Sequence, residues 1–411
     1  MYDICIIGGG AAGMCAAITA AGQNKKVIII EKNTKLGRKL YATGNGKCNL
    51  TNTYMDYPEI YHSSGHNYIR FLHEVMGDAP DSDVKTFFAS IGVPTYTNPE
   101  GYVYPAASQA SAVVWALSDA LAARHVEIIC NTEVTDIQKT GTGTDTGTVY
   151  QISASDKTIQ AYKVILTCGG CSYPSLGGTA SGYTLARKLG HSIQEVHPAL
   201  CALVSEEVPA ELAGLRVPAV ATLLSGDGAS IASQSGELQI TDYGLSGIMI
   251  FNLASRVNAM LSAHQSVQIS LNLIPHLTNR DFDALYQTAG HRTVIGLLNG
   301  FIHDKLAAYV VKQMKLDRKT KVSDISPGTL HRIIQKLTDM RFSISGTRDY
   351  EQAQVCAGGV SLDEINPAAC ESKLSPGLYF AGEIMDIDGI CGGYNLTFAV
   401  ISGIRAGESC I

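Results

Sequence analysis

The sequence predicts an α/β fold in which a parallel sheet carries an inserted β-rich domain and a helical subdomain. A short apolar run at residues 4–7 ends at glycine, an alanine-rich segment occupies residues 11–21, and a second apolar run, Val27–Ile30, ends at Glu31. Strand, helix and strand within about 30 residues form a βαβ unit. We therefore expect a parallel sheet at the start of the chain.

Later segments extend this sheet and then leave it. We expect a strand at 126–137, an antiparallel pair at 149–154 and 159–161, and an apolar strand at 164–167. Beyond residue 191, prolines separate short strand-like runs at 219–224, 238–241 and 267–273. Apolar residues then recur at helical steps from 278 to about 339, before a strand at 341–345 and a buried run at 377–383.

This pattern predicts a discontinuous first domain. The expected boundaries are 1–191 for the first part of the cofactor domain, 192–276 for a β-rich substrate domain, 277–340 for a helical insertion, 341–350 for a return to the β-rich domain, and 351–411 for the second part of the cofactor domain. On this interpretation the roof over the substrate comes from the inserted segments.

Composition narrows the class of protein. The 411 residues are 45% hydrophobic and 17% charged, and the net charge of -6 argues against a nucleic-acid partner. Four glycines interrupt the apolar opening and no positive region precedes it, so we interpret it as strand, turn and helix rather than as a signal peptide or membrane anchor. Eleven dispersed cysteines fit reduced thiols and a cytoplasmic location. The oligomeric state is left open.

The turn after the first strand carries a phosphate-binding pattern. Residues 8–13 read Gly-Gly-Gly-Ala-Ala-Gly and contain G-x-G-x-x-G between a strand and a helix. Glycine allows the tight turn and lets the backbone approach a pyrophosphate at the helix N-terminus. Glu31 lies where a carboxylate accepts hydrogen bonds from a ribose. The site is Rossmann-like, and both FAD and NAD fit it so far.

Two later segments favour FAD. Residues 167–170 read Thr-Cys-Gly-Gly at the end of a strand, and Ala381-Gly382-Glu383 is followed by a glycine-rich helix entry at 389–396. These segments resemble the later fingerprints of glutathione-reductase-type FAD domains. A helix that begins near Asn395 would direct its positive end at the flavin, favour the anionic reduced ring and raise its reduction potential.

The run at 37–52 (GRKLYATGNGKCNLTN) makes the resemblance more specific. Together with residues 389–396, it resembles a bacterial flavoprotein family that includes bile-acid enone reductases and aminoacetone oxidases. The resemblance covers essentially the whole chain and implies non-covalent FAD, with residues 45–49 beside the flavin. It also implies that Glu383 faces the ribityl chain, where related folds commonly use aspartate. From the motifs and the resemblance, the expected cofactor-binding residues are Gly8, Gly10, Ala11, Ala12, Gly13, Glu31, Lys32, Arg38, Lys39, Asn45, Gly46, Lys47, Cys48, Asn49, Val134, Thr167, Gly169, Gly170, Gly382, Glu383, Gly393, Asn395 and Leu396.

Candidate catalytic groups are few. Tyr394 adjoins the flavin-facing turn and could supply a proton, and His197 at the domain crossing is a second candidate donor, although an isolated histidine is more often structural. Cys168 and Cys171 form C-x-x-C, which we interpret as packing rather than a redox dithiol. Trp115 is expected in the core. The histidines lack metal-ligand spacing, so no metal is predicted.

The function predicted from these features is reduction of a small molecule. A steroid-like or bile-acid-like enone would accept hydride from flavin N5, with NADH or NADPH as a transient co-substrate. The glycines at 177–182 do not have the spacing of a second nucleotide site, so NAD(P)H would dock over the exposed flavin. The alternatives are an FAD-dependent amine or aminoketone oxidase that produces hydrogen peroxide, and an FAD-dependent RNA-modifying or RNA-binding protein, which the acidic charge disfavours.

Overall fold

The computed structural model describes residues 1–140, 148–155 and 157–410. In chain order, the helices are α1 Ala11–Ala21, α2 Arg38–Ala42, α3 Tyr57–Ile60, α4 Tyr68–Met76, α5 Pro80–Ser90, α6 Ala110–Ala123, α7 Ser181–Lys188, α8 Ile248–Phe251, α9 Ala254–Ser262, α10 Asn279–Thr288, α11 Val294–Leu298, α12 Asp304–Gln313, α13 Pro327–Thr338 and α14 Tyr394–Ser409. The strands are β1 Tyr2–Ile7, β2 Val27–Ile30, β3 Thr51–Asn52, β4 Tyr61–His62, β5 Thr95–Thr97, β6 Tyr102–Pro105, β7 Glu127–Ile129, β8 Val134–Thr140, β9 Val149–Ala154, β10 Lys157–Leu166, β11 Ile193–Ala199, β12 Leu203–Val204, β13 Arg216–Ser225, β14 Ser230–Ile240, β15 Gly244–Ser246, β16 Val267–Asn272, β17 Met340–Ser343, β18 Gly346–Thr347, β19 Val355–Val360, β20 Ile365–Asn366, β21 Glu371–Ser372, β22 Leu378–Phe380 and β23 Asp388–Gly389.

The chain divides into two compact units, Met1–Pro198 with Ala353–Ile411, and Ala199–Gln352. The first unit extends beyond the expected boundary at residue 191 because β11 pairs with β19, a strand of the same unit. The second unit includes the segments expected to form the β-rich and helical insertions. The α/β class with a Rossmann-type parallel sheet is confirmed.

The first unit is organised around a mixed sheet with the strand order β20-β21-β22-β10-β1-β2-β7. The neighbours from β22 to β7 along this order are parallel, and β9 continues β10 as an antiparallel hairpin that carries β8. All four residues of β2 are buried, as expected for a strand covered on both faces. Helix α1 packs against α14 and α6, which gives this unit its core.

The second unit is built on an antiparallel sheet with the order β17-β16-β13-β14-β15-β12-β18. Along β16 buried and half-buried residues alternate, which is the period of a strand with one face in a core. Helices α10 to α13 occupy the segment whose helical period is visible in the sequence. On α13, residues Leu330, Ile333, Ile334 and Leu337 form the buried stripe.

Two local predictions were wrong. The single strand expected at 126–137 is two strands, because the chain turns at Asn131, which has a φ of 53° and donates its N–H to the Asn33 carbonyl at 2.9 Å. β7 then pairs with β2, whereas β8 pairs with β9. Trp115 is 64% exposed rather than buried. It lies off the buried stripe of α6, which includes Val113, Val114 and Leu117.

Candidate dinucleotide-binding site

The carboxyl ends of four parallel strands meet at one cavity in the first unit. The residues that follow β1, β2, β10 and β22 are Gly8, Glu31, Thr167 and Ala381, and all four line this cavity. It contains about 1350 Å³ of space free of protein atoms, part of which is open to solvent. In open α/β sheets, ligands bind outside the carboxyl ends of the strands. The cavity is therefore the candidate cofactor site.

The glycine-rich turn has the conformation its sequence predicts. Gly8 has a φ of 108°, and its carbonyl accepts a hydrogen bond from Thr167 Oγ1 at 2.7 Å. A Cβ on Gly13 would lie 2.0 Å from the Gly8 oxygen, so only glycine lets α1 pack this closely on the turn. A Cβ on Gly10 would meet no atom within 4 Å, because it would point into open space.

Helices α1 and α14 both begin at this cavity. Gly10 is the N-cap of α1 and Gly393 is the N-cap of α14, and neither cap provides a side-chain acceptor. The first backbone N–H groups of a helix have no partner within the helix, and they carry the positive end of the dipole. Ala11 and Leu396, in the first turns of these helices, line the cavity. Two positive helix ends are thus available to an anionic ligand.

Glu31 is buried and is held by the protein through both carboxylate oxygens. Oε2 accepts the Gly9 N–H at 2.7 Å, and Oε1 accepts the Asn33 N–H at 2.8 Å and its side-chain amide at 2.6 Å. A carboxylate offers about four acceptor positions. One position therefore stays available for a hydroxyl group, which is the expected ribose contact.

A second carboxylate, that of Glu383, lies in the cavity wall and is held by neighbouring protein groups. Glu383 Oε2 pairs with Lys39 Nζ at 2.8 Å, while Oε1 accepts Ser172 Oγ and the Cys356 N–H, each at 2.9 Å. Lys39 also donates to Ser172 Oγ at 2.6 Å. Lys39 is therefore held by an ion pair and a hydrogen bond in the wall of the cavity and is not a freely solvated lysine.

Arg38 and Asn395 are also engaged in the protein. The Arg38 guanidinium donates to Asn33 Oδ1 and to the Ser175 carbonyl, each at 2.9 Å. The Asn395 carboxamide bonds both the N–H and the carbonyl of Gly389, at 2.8 and 2.7 Å. Both residues line the cavity. The Asn395 side chain therefore fixes the turn that precedes α14 rather than reaching for a ligand.

Many of the expected cofactor-binding residues line this cavity: Gly8, Gly10, Ala11, Ala12, Glu31, Lys32, Arg38, Lys39, Val134, Thr167, Gly169, Gly382, Glu383, Asn395 and Leu396. Gly13, Gly170, Gly393 and the run Asn45, Gly46, Lys47, Cys48 and Asn49 do not line it. Gly13 contributes indirectly, because it allows α1 to pack closely on the glycine-rich turn. Gly393 caps α14.

The 45–49 run forms its own compact turn next to the α14 cap. Asn45 and Cys48 have φ values of 53° and 60°. Cys48 is fully buried, and this burial raises the pKa of its thiol to about 11, so it is a packed thiol rather than a reactive one. Asn49 Oδ1 is buried with no hydrogen-bond partner in the described part of the chain. A Cβ on Gly393 would lie 3.1 Å from Asn49 Cγ, so this oxygen lies close to the start of α14.

The two catalytic candidates have different surroundings. Tyr394 is buried at the start of α14, its ring packs edge-on against Tyr61 at 6.2 Å, and desolvation raises the pKa of its phenol to about 12. It therefore stays protonated at neutral pH. His197 lies on β11, 3.6 Å from Glu195 Oε2. Neither Tyr394 nor His197 lines the cavity, although the residues that follow Tyr394, Asn395 and Leu396, do.

Asp386 is a buried carboxylate that links two segments distant in the sequence. Its Oδ2 accepts hydrogen bonds from Ser63 Oγ at 2.9 Å and from the Ser64 N–H at 3.1 Å. The carboxylate thus ties the last glycine-rich segment to the chain beyond β4.

Sequence reasoning missed several lining residues. Thr132 and Glu133 follow the turn at Asn131, Gln354 and Val355 begin the return from the second unit, and Gly177, Thr179 and Ser181 come from the glycine-rich stretch that we rejected as a nucleotide site. The glycine content of 177–182 was a usable signal, although its spacing is not that of a phosphate turn. The others carry no motif.

The residues present fit FAD. Gly10 leaves open space at the positive end of α1, Glu31 keeps an acceptor position, and Asn49 holds an unpartnered buried oxygen near the second helix start. A two-phosphate ligand with a ribose and a ring bearing donor groups matches these three features. Fold and site together define a flavoprotein oxidoreductase with a Rossmann-type FAD domain.

The chain belongs to the HI0933-like family, since the model described as "HI0933-like protein Rossmann domain" matches residues 2–409. It is 34% identical to a 3-dehydro-bile acid delta(4,6)-reductase of Clostridium scindens, over 100% of this chain and 99% of that protein. It is 28% identical to a ribosomal RNA dihydrouridine synthase of Escherichia coli, over 100% of this chain and 98% of that protein. A protein of the same name from Haemophilus influenzae is 25% identical over 96% of this chain and 94% of its own length. The predicted resemblance to bile-acid enone reductases is confirmed.

Among the residues that the structure describes, no helix is both long and apolar enough to cross a membrane.

Proposed function

We propose that this protein reduces a carbon–carbon double bond conjugated to a carbonyl in a small, steroid-like or bile-acid-like molecule, with NADH or NADPH as the electron donor. The observation that carries the proposal is the 34% identity, over the whole chain, to a reductase of 3-dehydro-bile acids. The net charge of -6 also suits a small organic substrate better than a polyanion.

Bound FAD would supply hydride chemistry at this site. The chain's own contribution is to hold and orient that group. The N-terminal turn of α1 would bind the pyrophosphate, Glu31 a ribose, and the Lys39–Glu383 pair the middle of the cofactor. The start of α14 would direct its positive end at the flavin ring, which stabilises the reduced, anionic form.

Reduction of such a double bond also needs a proton at the carbon next to the carbonyl. We assign this role to Tyr394, because its phenol is held in its protonated form by burial and it begins α14. Tyr394 does not itself line the cavity, but it directly precedes Asn395 and Leu396, which do. His197 is the second candidate, and neither it nor a residue next to it lines the cavity.

An anaerobic titration tests the proposal. The purified yellow protein is mixed with NADH or NADPH, and the visible flavin absorbance is followed before and after a 3-oxo bile acid with conjugated double bonds is added. We expect bleaching by the nucleotide and recovery of the colour by the enone, with the saturated product detected by mass spectrometry. Tyr394→Phe should still be bleached but should turn over at least about tenfold more slowly, since general acid catalysis contributes roughly 10²–10⁴ in rate.

The outcome that contradicts the proposal is a flavin that NAD(P)H leaves oxidised while aminoacetone in air releases hydrogen peroxide. That result would establish the aminoketone oxidase alternative.

The Tyr61→Phe variant is a matched control for Tyr394→Phe, because it removes a neighbouring buried hydroxyl whose hydrogen bond goes to the Tyr394 carbonyl at 2.9 Å.

A second candidate substrate is uridine in ribosomal RNA. Two full-length relatives bear the name ribosomal RNA dihydrouridine synthase. The chemistry is related, because the C5=C6 bond of uracil is conjugated to the C4 carbonyl. Separate samples of the reduced protein are incubated with ribosomal RNA transcripts and with the 3-oxo bile acid. Dihydrouridine in the RNA, together with an unreacted bile acid in the other sample, would favour the RNA substrate.

A further inference from the structure

The first unit contains a pair of thiols that the proposed reaction does not use. Cys171 follows the glycine turn after β10, and Cys356 lies on β19, so the two come from distant parts of the sequence. The Cys171 N–H donates to Cys356 Sγ at 3.1 Å. A Cβ on Gly170 would lie 3.0 Å from the same sulfur. Cys356 Sγ is therefore seated directly against the backbone of residues 170–171.

The pair is chemically asymmetric. Cys356 is fully buried, whereas Cys171 is half-buried. The neighbouring Cys356 side chain lowers the pKa of Cys171 to about 7, while the pKa of Cys356 is raised by Cys171 and by burial. A fraction of Cys171 is therefore thiolate at neutral pH, which is the nucleophilic form.

The cysteine of the C-x-x-C pattern is not the partner. Cys168 Sγ donates to the Ile7 carbonyl at 3.4 Å, and burial raises the pKa of its thiol to about 12. A Cβ on Gly182 would lie 2.6 Å from Cys168 Cβ, so this side chain is closely packed under α7. Packing is the role that the structure gives to Cys168.

We propose that Cys171 and Cys356 form a peroxide-sensitive thiol pair that closes to a disulfide beside the cofactor cavity. The Cys171 thiolate attacks one oxygen of hydrogen peroxide, the O–O bond breaks, and the departing hydroxide takes a proton to become water. Cys356 sulfur then attacks the resulting sulfenic sulfur, the S–O bond breaks, and the oxygen leaves as a second water with the Cys356 proton. Two thiols lose two electrons, and one peroxide is reduced to two waters.

The pair is linked to the cavity through Glu383. The Cys356 N–H donates to Glu383 Oε1 at 2.9 Å, and Ser172, the residue after Cys171, donates to the same oxygen. Glu383 lines the cavity and carries the ion pair with Lys39. Drawing the two sulfurs together moves the backbone on both sides of this carboxylate. The oxidised protein should therefore bind FAD at least about threefold more weakly than the reduced protein.

Peptide mapping of the flavin-loaded protein tests the pair directly. After one equivalent of hydrogen peroxide, the remaining thiols are alkylated and the protein is digested with trypsin without reductant. Cys171 lies in peptide 164–187 and Cys356 in peptide 349–373. We expect these peptides to be joined, to separate on reduction, and to account for the loss of two of the eleven thiols.

Each peptide holds a second cysteine, Cys168 and Cys370, which supplies matched controls. The cross-link should persist in Cys168→Ser and Cys370→Ser and be absent from Cys171→Ser and Cys356→Ser. Fragmentation of the wild-type cross-link locates the bond without any variant, so the test does not depend on how the variants fold. A disulfide within peptide 164–187, or a sulfenic acid at Cys171 that dimedone traps without any cross-link, would overturn the proposal.

Discussion

In the glycine turn at the start of α1, Gly13 serves helix packing, whereas Gly10 faces the cofactor cavity. Substituting each glycine by alanine therefore measures the two roles separately. In Gly13→Ala the new Cβ would lie 2.0 Å from the Gly8 oxygen and 2.6 Å from Thr167 Oγ1, where ordinary contact begins at 3.4 Å. The helix must move away from backbone atoms, and the hydrogen bond from Thr167 to Gly8 at 2.7 Å is disturbed.

The magnitude follows from three terms. Overpacking costs about 1–3 kcal/mol, and a weakened hydrogen bond costs about 1 kcal/mol more. Alanine gains back about 1 kcal/mol of helix propensity. We therefore expect Gly13→Ala to lower the free energy of unfolding of the FAD-free protein by about 1–3 kcal/mol, as measured by urea denaturation.

Gly10→Ala is the matched control, since its Cβ would meet no protein atom within 4 Å. The FAD-free protein should lose at most about 1 kcal/mol, the range of an N-cap change. Its methyl group enters the cavity at the first turn of α1, so the Kd for FAD should rise at least tenfold, or by about 1.4 kcal/mol. Wild-type FAD affinity in Gly10→Ala would refute our placement of the cofactor phosphates at the start of α1.

Three further predictions follow from the same contacts. Glu31→Gln presents an amide to the Gly9 N–H and should weaken FAD binding by about 1–3 kcal/mol in a flavin fluorescence titration, whereas an unchanged Kd would exclude Glu31 from the site. Burial raises the pKa of Asp386 from 3.8 to about 6, so the folded state binds the proton of this acid more tightly than the unfolded state does. The resulting gain in the free energy of unfolding is complete below pH 4 and is lost as the pH rises through 6. The stability of the wild type relative to Asp386→Asn should thus fall by up to about 3 kcal/mol between pH 4 and 7, and a flat difference would contradict this pKa. In Gly403→Ala a Cβ would lie 2.4 Å from the Ala12 oxygen, so α14 must separate from α1. The melting temperature of the FAD-free protein should fall, and an unchanged melting temperature would contradict this close packing.

Local features of the fold could be derived from the sequence because they depend on near neighbours in the chain. The apolar run of β2 and the alanine-rich stretch of α1 have lengths and periods that differ between strand and helix. The positive φ of Gly8 and the close approach of Gly13 to the Gly8 oxygen involve residues a few positions apart, so this turn follows from the order of residues alone. At 126–137 the sequence predicts one strand, whereas the chain turns at Asn131, whose N–H bonds to the distant Asn33 carbonyl.

Only the tertiary structure decided which distant residues share a site. Lys39 on α2, Ser172 after β10, Cys356 on β19 and Glu383 after β22 meet through hydrogen bonds between distant segments, and no pattern in the sequence links them. The same convergence gives Cys171 a partner other than the cysteine of its own motif. A sequence motif encodes interactions over a few residues, whereas hydrogen bonds and thiol pairs between remote segments depend on strand order and register, which the packing of the whole unit determines.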